Sequence, residues 1–150
     1  MSFYYCYKPA MEAQPGCKLP VPFKKKICGG LMCRTINIRG FIPCSAYSFA
    51  ISFSVENTRD IALHIKSYIN RCAVVRNTFQ NCCWGCEESC ISYNPFVPGQ
   101  YFDLSIQVSN CNFTVFANGR HFFDYNHRMS PCLVDTLEIC GDVDLSCVQV

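Results

Sequence analysis

From about residue 27 onward the chain alternates apolar and polar positions in short runs. Ile36 and Ile38 alternate with Thr35, Asn37 and Arg39; Ile51, Phe53 and Val55 alternate with Ser52 and Ser54. Farther on, Leu104, Ile106 and Val108 alternate with Asp103, Ser105 and Gln107, and Phe113 and Val115 with Asn112 and Thr114. A period of two sends successive side chains to opposite faces, so each run predicts a strand with one face toward a core. Turn signals separate the runs: Gly29-Gly30, Gly40, Pro43, Pro98-Gly99, Asn118-Gly119 and Gly141-Asp142. Asn-Gly between two apolar runs is the strongest hairpin signal in the chain. No stretch keeps a helical period over three turns, and there is no internal repeat. The expected fold class is all-β, an antiparallel sandwich or barrel with Ile36, Ile38, Phe53, Leu104, Ile106 and Val115 in its core.

Residues 1–22 break the pattern. They hold four of the eight prolines and several aromatics without alternation, which reads as a flexible tail ahead of a domain spanning 23–150. The whole chain, at 150 residues and 50% hydrophobic, suits one domain with a real core. Its net charge of +2 excludes the broad basic footprint of a nucleic-acid binder. No apolar run is long enough to span a membrane. Lys24-Lys25-Lys26 reads as a solvated strand edge, where lysines discourage pairing with another chain.

Cysteine changes the picture, at 14 residues. The N-terminus lacks the basic and apolar regions of a secretory signal, so reduced thiols in the cytoplasm are expected rather than a disulfide scaffold. Several are expected as small buried hydrophobes, and the exposed ones as prone to intermolecular oxidation. The spacing of Cys82, Cys83, Cys86 and Cys90 is not the pair of C-x₂-C units usual for zinc. Asn112-Phe113-Thr114 is a glycosylation sequon that stays unmodified without export through the secretory route.

Candidate chemistry gathers between residues 60 and 89. Period two places His64, Lys66 and Tyr68 on one strand face, and Val75 and Asn77 on one face of the next. Trp84, the only tryptophan, follows, then Glu87 and Ser89. If these strands are neighbours, one sheet face collects an imidazole, an amide, a carboxylate and a flat apolar ring. That set suits a sugar, whose hydroxyls need directional polar partners while its C–H face packs on an aromatic plane. The alternative is a core tryptophan with solvated polar neighbours. His121, Asp124, His127 and Arg128 invite a metal or acid–base reading, against which stands a structural one. A cysteine nucleophile assisted by His64 or His127 has nothing to orient it. No catalytic residue, metal or cofactor is expected.

In order and spacing, His64, Val75-Arg76-Asn77 and Trp84-Gly85-x-Glu87 resemble the signature of the galectins, the β-galactoside-binding lectins. The resemblance runs from about Leu19 to Val150 and takes in Asn94-Pro95-Phe96, Pro98-Gly99-Gln100, Ala117-Asn118-Gly119 and Asp135-Thr136-Leu137-Glu138-Ile139. It is greatest toward the carbohydrate-recognition domains of tandem-repeat galectins. It implies a sandwich of two antiparallel sheets, about eleven strands, with jelly-roll-like topology.

There are departures. Sugar-binding galectins read His-x-Asn-Pro-Arg where this chain has His64, Ile65, Lys66, Ser67 and Tyr68, and Arg or Lys where it has Ser89. In the family the missing Asn and Arg grip the axial hydroxyl of galactose, and the second basic residue reaches the neighbouring sugar. Each charge-assisted bond lost forfeits about 1.5–3 kcal/mol. Tyr68 standing in the pocket, or a Lys66–Glu87 ion pair filling it, would weaken binding further. The resemblance therefore implies a lectin for galactose-containing glycans of glycoproteins or glycolipids with altered or weakened specificity. The carbohydrate-binding residues would be His64, Lys66, Tyr68, Asn77, Trp84, Glu87 and Ser89. The alternative is a galectin-fold interaction protein that has lost sugar binding and self-associates. Neither nucleic acid nor membrane insertion is implied, and whether the chain forms a homodimer stays open. Galectins reside in the cytoplasm and leave cells without a signal peptide, so both locations are expected.

Overall fold

The computed structural model describes residues 18–150, so the tail assignment for residues 1–17 lies outside the described residues. Of the remainder of that segment, Leu19 bridges to Leu145, and Leu19 and Val21 pack against the core. Eleven strands follow among the described residues. They are β1 (Phe23–Lys26), β2 (Thr35–Phe41), β3 (Ser48–Val55), β4 (Asp60–Tyr68), β5 (Ala73–Gln80) and β6 (Cys83–Trp84). Then come β7 (Tyr101–Val108), β8 (Asn112–Ala117), β9 (Arg120–Asn126), β10 (Thr136–Gly141) and β11 (Asp144–Gln149). The only helical pieces among these residues are two single 3₁₀ turns, Ile69–Arg71 and Pro131–Leu133.

The strands form two antiparallel sheets. One has five strands in the order β9-β8-β7-β2-β11, the other six in the order β1-β10-β3-β4-β5-β6. Their apolar faces meet in one core, where the alternation read from the sequence puts every second side chain. Ile36, Ile38, Phe53, Leu104, Ile106 and Val115 are all buried there. Phe53 of one sheet stacks on Phe113 of the other at 5.9 Å between ring centres, and Phe49 on Phe102 at 5.8 Å. Such aromatic pairs across the interlayer add roughly 0.5–1.5 kcal/mol each beyond the area they bury.

Asn118 and Gly119 join β8 to β9 with φ of 54° and 78°. Two consecutive left-handed residues make the type I′ turn whose twist matches the flanking strands, which is why Asn-Gly serves there. The lysine run forms β1, an outer strand of the six-stranded sheet with exposed side chains. Lys24 meets Glu56 at 3.0 Å and Lys26 meets Asp135 at 3.9 Å.

Cysteine burial is the correction. Eleven of the twelve described cysteines are exposed, Cys147 alone is buried, and all twelve are free. Hydrophobicity does not decide the matter, because position does. The alternation that buries Ile139 turns Cys140 outward on β10. Cys33, Cys72 and Cys82 occupy turns with φ of 62°, 52° and 62°, and turns run over the surface. Brief alkylation of the native reduced protein, read by peptide mass spectrometry, is expected to label Cys44, Cys72 and Cys140. It should spare Cys147 until the chain is unfolded; equal labelling of Cys147 in the native state would contradict its burial.

Candidate carbohydrate-binding site

Strand register brings the sequence-selected residues together. In the β4–β5 ladder His64 lies opposite Asn77, Lys66 opposite Val75 and Tyr68 opposite Ala73. The intervening Leu63, Ile65 and Ser67 face inward and are buried, so the polar set is turned out by the same period that fills the core. On the far side of β5 the short β6 places Trp84 opposite Phe79. His64, Lys66, Tyr68, Val75, Asn77, Trp84, Gly85 and Glu87 line one open groove of about 530 Å³. Ser89 is exposed and is not among the lining residues.

Trp84 is 50% exposed, so it is not a core residue. Its ring is propped from behind, 5.2 Å from the His64 ring and 5.0 Å from Phe79. That leaves indole surface free to take an apolar face. His64 Nδ1 is 2.8 Å from Ser52 Oγ, the residue directly opposite on β3. Burial, and then the charge of Lys66, hold the imidazole below its ordinary value. It is therefore neutral at pH 7, with one ring nitrogen a donor and the other an acceptor.

Asn77 is buried and works in two directions. Its Nδ2 donates to Gly85 O at 2.9 Å, and its Oδ1 accepts from Thr78 N at 2.8 Å and from Arg128 Nη1 at 3.0 Å. For Arg128 the structural alternative holds, through a contact with Asn77 that the sequence did not reveal. Its Nη2 donates to Cys86 O at 2.8 Å and to Glu88 Oε2 at 2.9 Å, while the guanidinium lies 4.8 Å over the Tyr125 ring. One planar fork thus holds both flanks of the segment carrying Trp84 and Glu87. It packs so close to Gly85 that a Cβ there would stand 2.8 Å from Nη1. Behind the sheet Arg76 repeats the device. Its Nη1 donates to Val74 O at 3.0 Å and its Nη2 to Cys90 O at 2.9 Å, and its backbone exchanges two bonds with Glu88. Glu88 is drawn inward by these contacts, and Glu87 faces the groove.

The histidine-rich set is dispersed. His121 Nε2 meets Asp124 Oδ1 at 2.9 Å on an exposed surface, His127 Nε2 donates to Ser109 O at 2.7 Å, and Arg128 bonds the groove-lining Asn77. The Lys66–Glu87 ion pair is not formed. Lys66 Nζ instead lies 5.6 Å from the centre of the Tyr68 ring, against which the Arg71 guanidinium packs at 4.1 Å.

The galactoside-binding lectin family matches residues 22–150. The chain belongs to the galectin family. Galectins are lectins, not enzymes. Over 144 residues the chain is 51% identical to bovine galectin-4, a match covering 95% of this chain and 43% of that protein. It is 35% identical over 132 residues to a 32 kDa beta-galactoside-binding lectin of Haemonchus contortus, covering 87% of this chain and 46% of that one. The chain thus spans less than half the length of these curated relatives. Among solved galectins, a variant of human galectin-16 superposes with a TM-score of 0.80 at 29% identity, covering 88% of this chain and 96% of that one.

Two outcomes follow for this galectin groove. Arg128→Lys keeps the charge and loses the fork, and is expected to lower unfolding stability by about 1–3 kcal/mol in urea titrations. In that background Glu88→Gln should cost less than it does alone, since both changes break one interaction; full additivity would refute the clamp. The second outcome concerns pH. Because His64 is held below its ordinary 6.5 in the folded chain, the unfolded chain takes up the proton first on acidification. The His64 contribution is therefore complete above about pH 6.5 and is lost as pH falls through the folded value. NMR of the imidazole should show a midpoint below that of free histidine, and His64→Gln should reduce the loss of thermal stability between about pH 7.5 and pH 5.

Proposed function

We propose that the groove binds β-galactoside glycans of glycoproteins or glycolipids, with a weaker grip than a galectin bearing the full His-x-Asn-Pro-Arg motif. The half-exposed Trp84, braced beside His64 and facing the same groove as Asn77, carries this reading. The indole offers a platform for the C–H face of a pyranose. Asn77 Nδ2 uses one N–H on Gly85 and keeps a second. Glu87, exposed at the rim, offers an acceptor for hydroxyl protons. The relative named as a beta-galactoside-binding lectin supports the ligand class.

Weakening follows from donor and acceptor counts. Lysine supplies donors alone where asparagine would supply both, and the Tyr68 phenol supplies one hydroxyl where arginine would supply a fork. Loss of the fork costs more than loss of a neutral bond of the same length.

A second reading, self-association without sugar binding, is favoured by the eleven exposed thiols, which are available for disulfides between chains. A glycan array on reduced protein separates the two. Galactose-selective binding supports the lectin reading; a blank array, with disulfide-linked oligomers appearing on oxidation, supports the other.

Calorimetry with lactose tests the grip. The unmodified chain is expected to bind weakly, and the double change Lys66→Asn with Tyr68→Arg to gain on the order of a hundredfold, at about 1.4 kcal/mol per restored bond. Adding Trp84→Ala should erase that gain. Tight binding by the unmodified chain would overturn the weakened grip. No gain in a folded double variant would mean that His64, Asn77, Trp84 and Glu87 do not make a site.

A further inference from the structure

A separate pocket lies on the opposite side of β5 from the groove. Asn77 faces the groove, so Arg76, one residue earlier, points away from it. Arg76 lines an open pocket of about 360 Å³ with Cys90 and Ser92 of the segment after β6, and with His121, Phe123 and Asp124 of β9 in the other sheet. The side chain is only 3% exposed, yet much of its donor capacity is unused. A guanidinium carries five N–H donors. Nη1 gives one to Val74 O and Nη2 gives one to Cys90 O, while the flat face lies 4.4 Å over the Phe123 ring. Nε is buried and has no hydrogen-bond partner among the described residues.

The carboxylates nearby are engaged elsewhere. Glu88 Oε2 accepts from Arg128 Nη2 at 2.9 Å. Asp124, across the pocket, meets His121 Nε2 through Oδ1 at 2.9 Å. Burial pushes the Arg76 guanidinium below its ordinary value, and negative charge on Glu88, then on Cys90 and Tyr125, acts in the other direction. The Cys90 thiol is thus within electrostatic reach of the guanidinium, and it is exposed and free. A desolvated cation whose N–H groups are only partly used calls for an anion.

We propose that this pocket binds a small oxyanion, a carboxylate or a phosphate, on the unused N–H groups of Arg76 beside the Cys90 thiol. Two oxygens on one centre match the spacing of adjacent guanidinium N–H groups, which a single hydroxyl does not. The Ser92 hydroxyl on the pocket wall offers a further donor. The site is distinct from the sugar groove and does not depend on what the groove takes.

Cys90 makes the site readable. Iodoacetate carries a carboxylate, and iodoacetamide is its neutral counterpart. With either, the thiolate sulfur attacks the CH₂ carbon, a C–S bond forms, the C–I bond breaks and iodide leaves, the thiol proton having passed to solvent. Both reagents are applied in parallel to the full reduced chain, and each cysteine is followed by peptide mass spectrometry. The ratio of iodoacetate to iodoacetamide rates at Cys90 is expected to exceed that at Cys44 and Cys140 by about tenfold or more. The excess should shrink as salt is raised and vanish in Arg76→Met. A second measurement leaves the chain unaltered: acetate or inorganic phosphate, against sodium chloride at equal ionic strength, should slow iodoacetate labelling of Cys90 saturably and leave Cys44 unchanged. Protection by acetate alone identifies a carboxylate site, by phosphate alone a phosphate site, and by both a general oxyanion site. An equal rate ratio at the three cysteines, or labelling that neither anion slows, would overturn the inference. Persistence of the excess in a folded Arg76→Met variant would overturn it as well.

Discussion

One guanidinium holds the Trp84 end of the groove to the sheet. Trp84 belongs to a two-residue strand at the edge of a sheet, where the ladder alone gives little hold on an indole. Arg128 arrives from beyond the end of β9 and supplies what the ladder lacks. It ties the Asn77 amide, the Cys86 carbonyl and the Glu88 carboxylate into one plane. These charge-assisted bonds are partly shielded from water, so they retain strength that an exposed pair would lose. Gly85 is the geometric condition for that approach, since any larger residue would push against the fork.

The same contacts explain how one short stretch serves both rigidity and recognition. Asn77 spends its oxygen and one N–H on holding the hairpin. Glu88 faces the clamp and Glu87 faces the groove, so adjacent carboxylates have opposite tasks because a strand-like backbone alternates. Arg76 and Asn77 divide the two sheet faces in the same way. Stability and chemistry are thus interleaved residue by residue, with no separate scaffold beneath a separate site.

Much of this was legible in the chain. Alternation at Ile36, Ile38, Leu104 and Ile106 dictated strands with a buried face, and the same rule put His64, Lys66 and Tyr68 on one outward face. The order of Trp84, Gly85 and Glu87 after Asn77 marked the family signature. The contact of Arg128 with the site was not legible, because 51 residues separate it from Asn77 and nothing local to either records it. Ser52 was visible as an outward residue, but its pairing with His64 depends on register across two strands. The cysteines misled for another reason. A thiol is apolar enough for a core and small enough for a turn, so its burial is decided by backbone position, which composition does not carry.

Trp84 is the only tryptophan in the sequence, and it stands in the groove. Indole emission responds to the polarity around the ring, so the light emitted by this protein on excitation at the red edge of its absorption originates in the groove alone. No second indole dilutes the signal. A saccharide laid on that ring displaces water from the chromophore itself, which makes the protein its own optical sensor for whatever occupies the groove, without a label and without altering a residue.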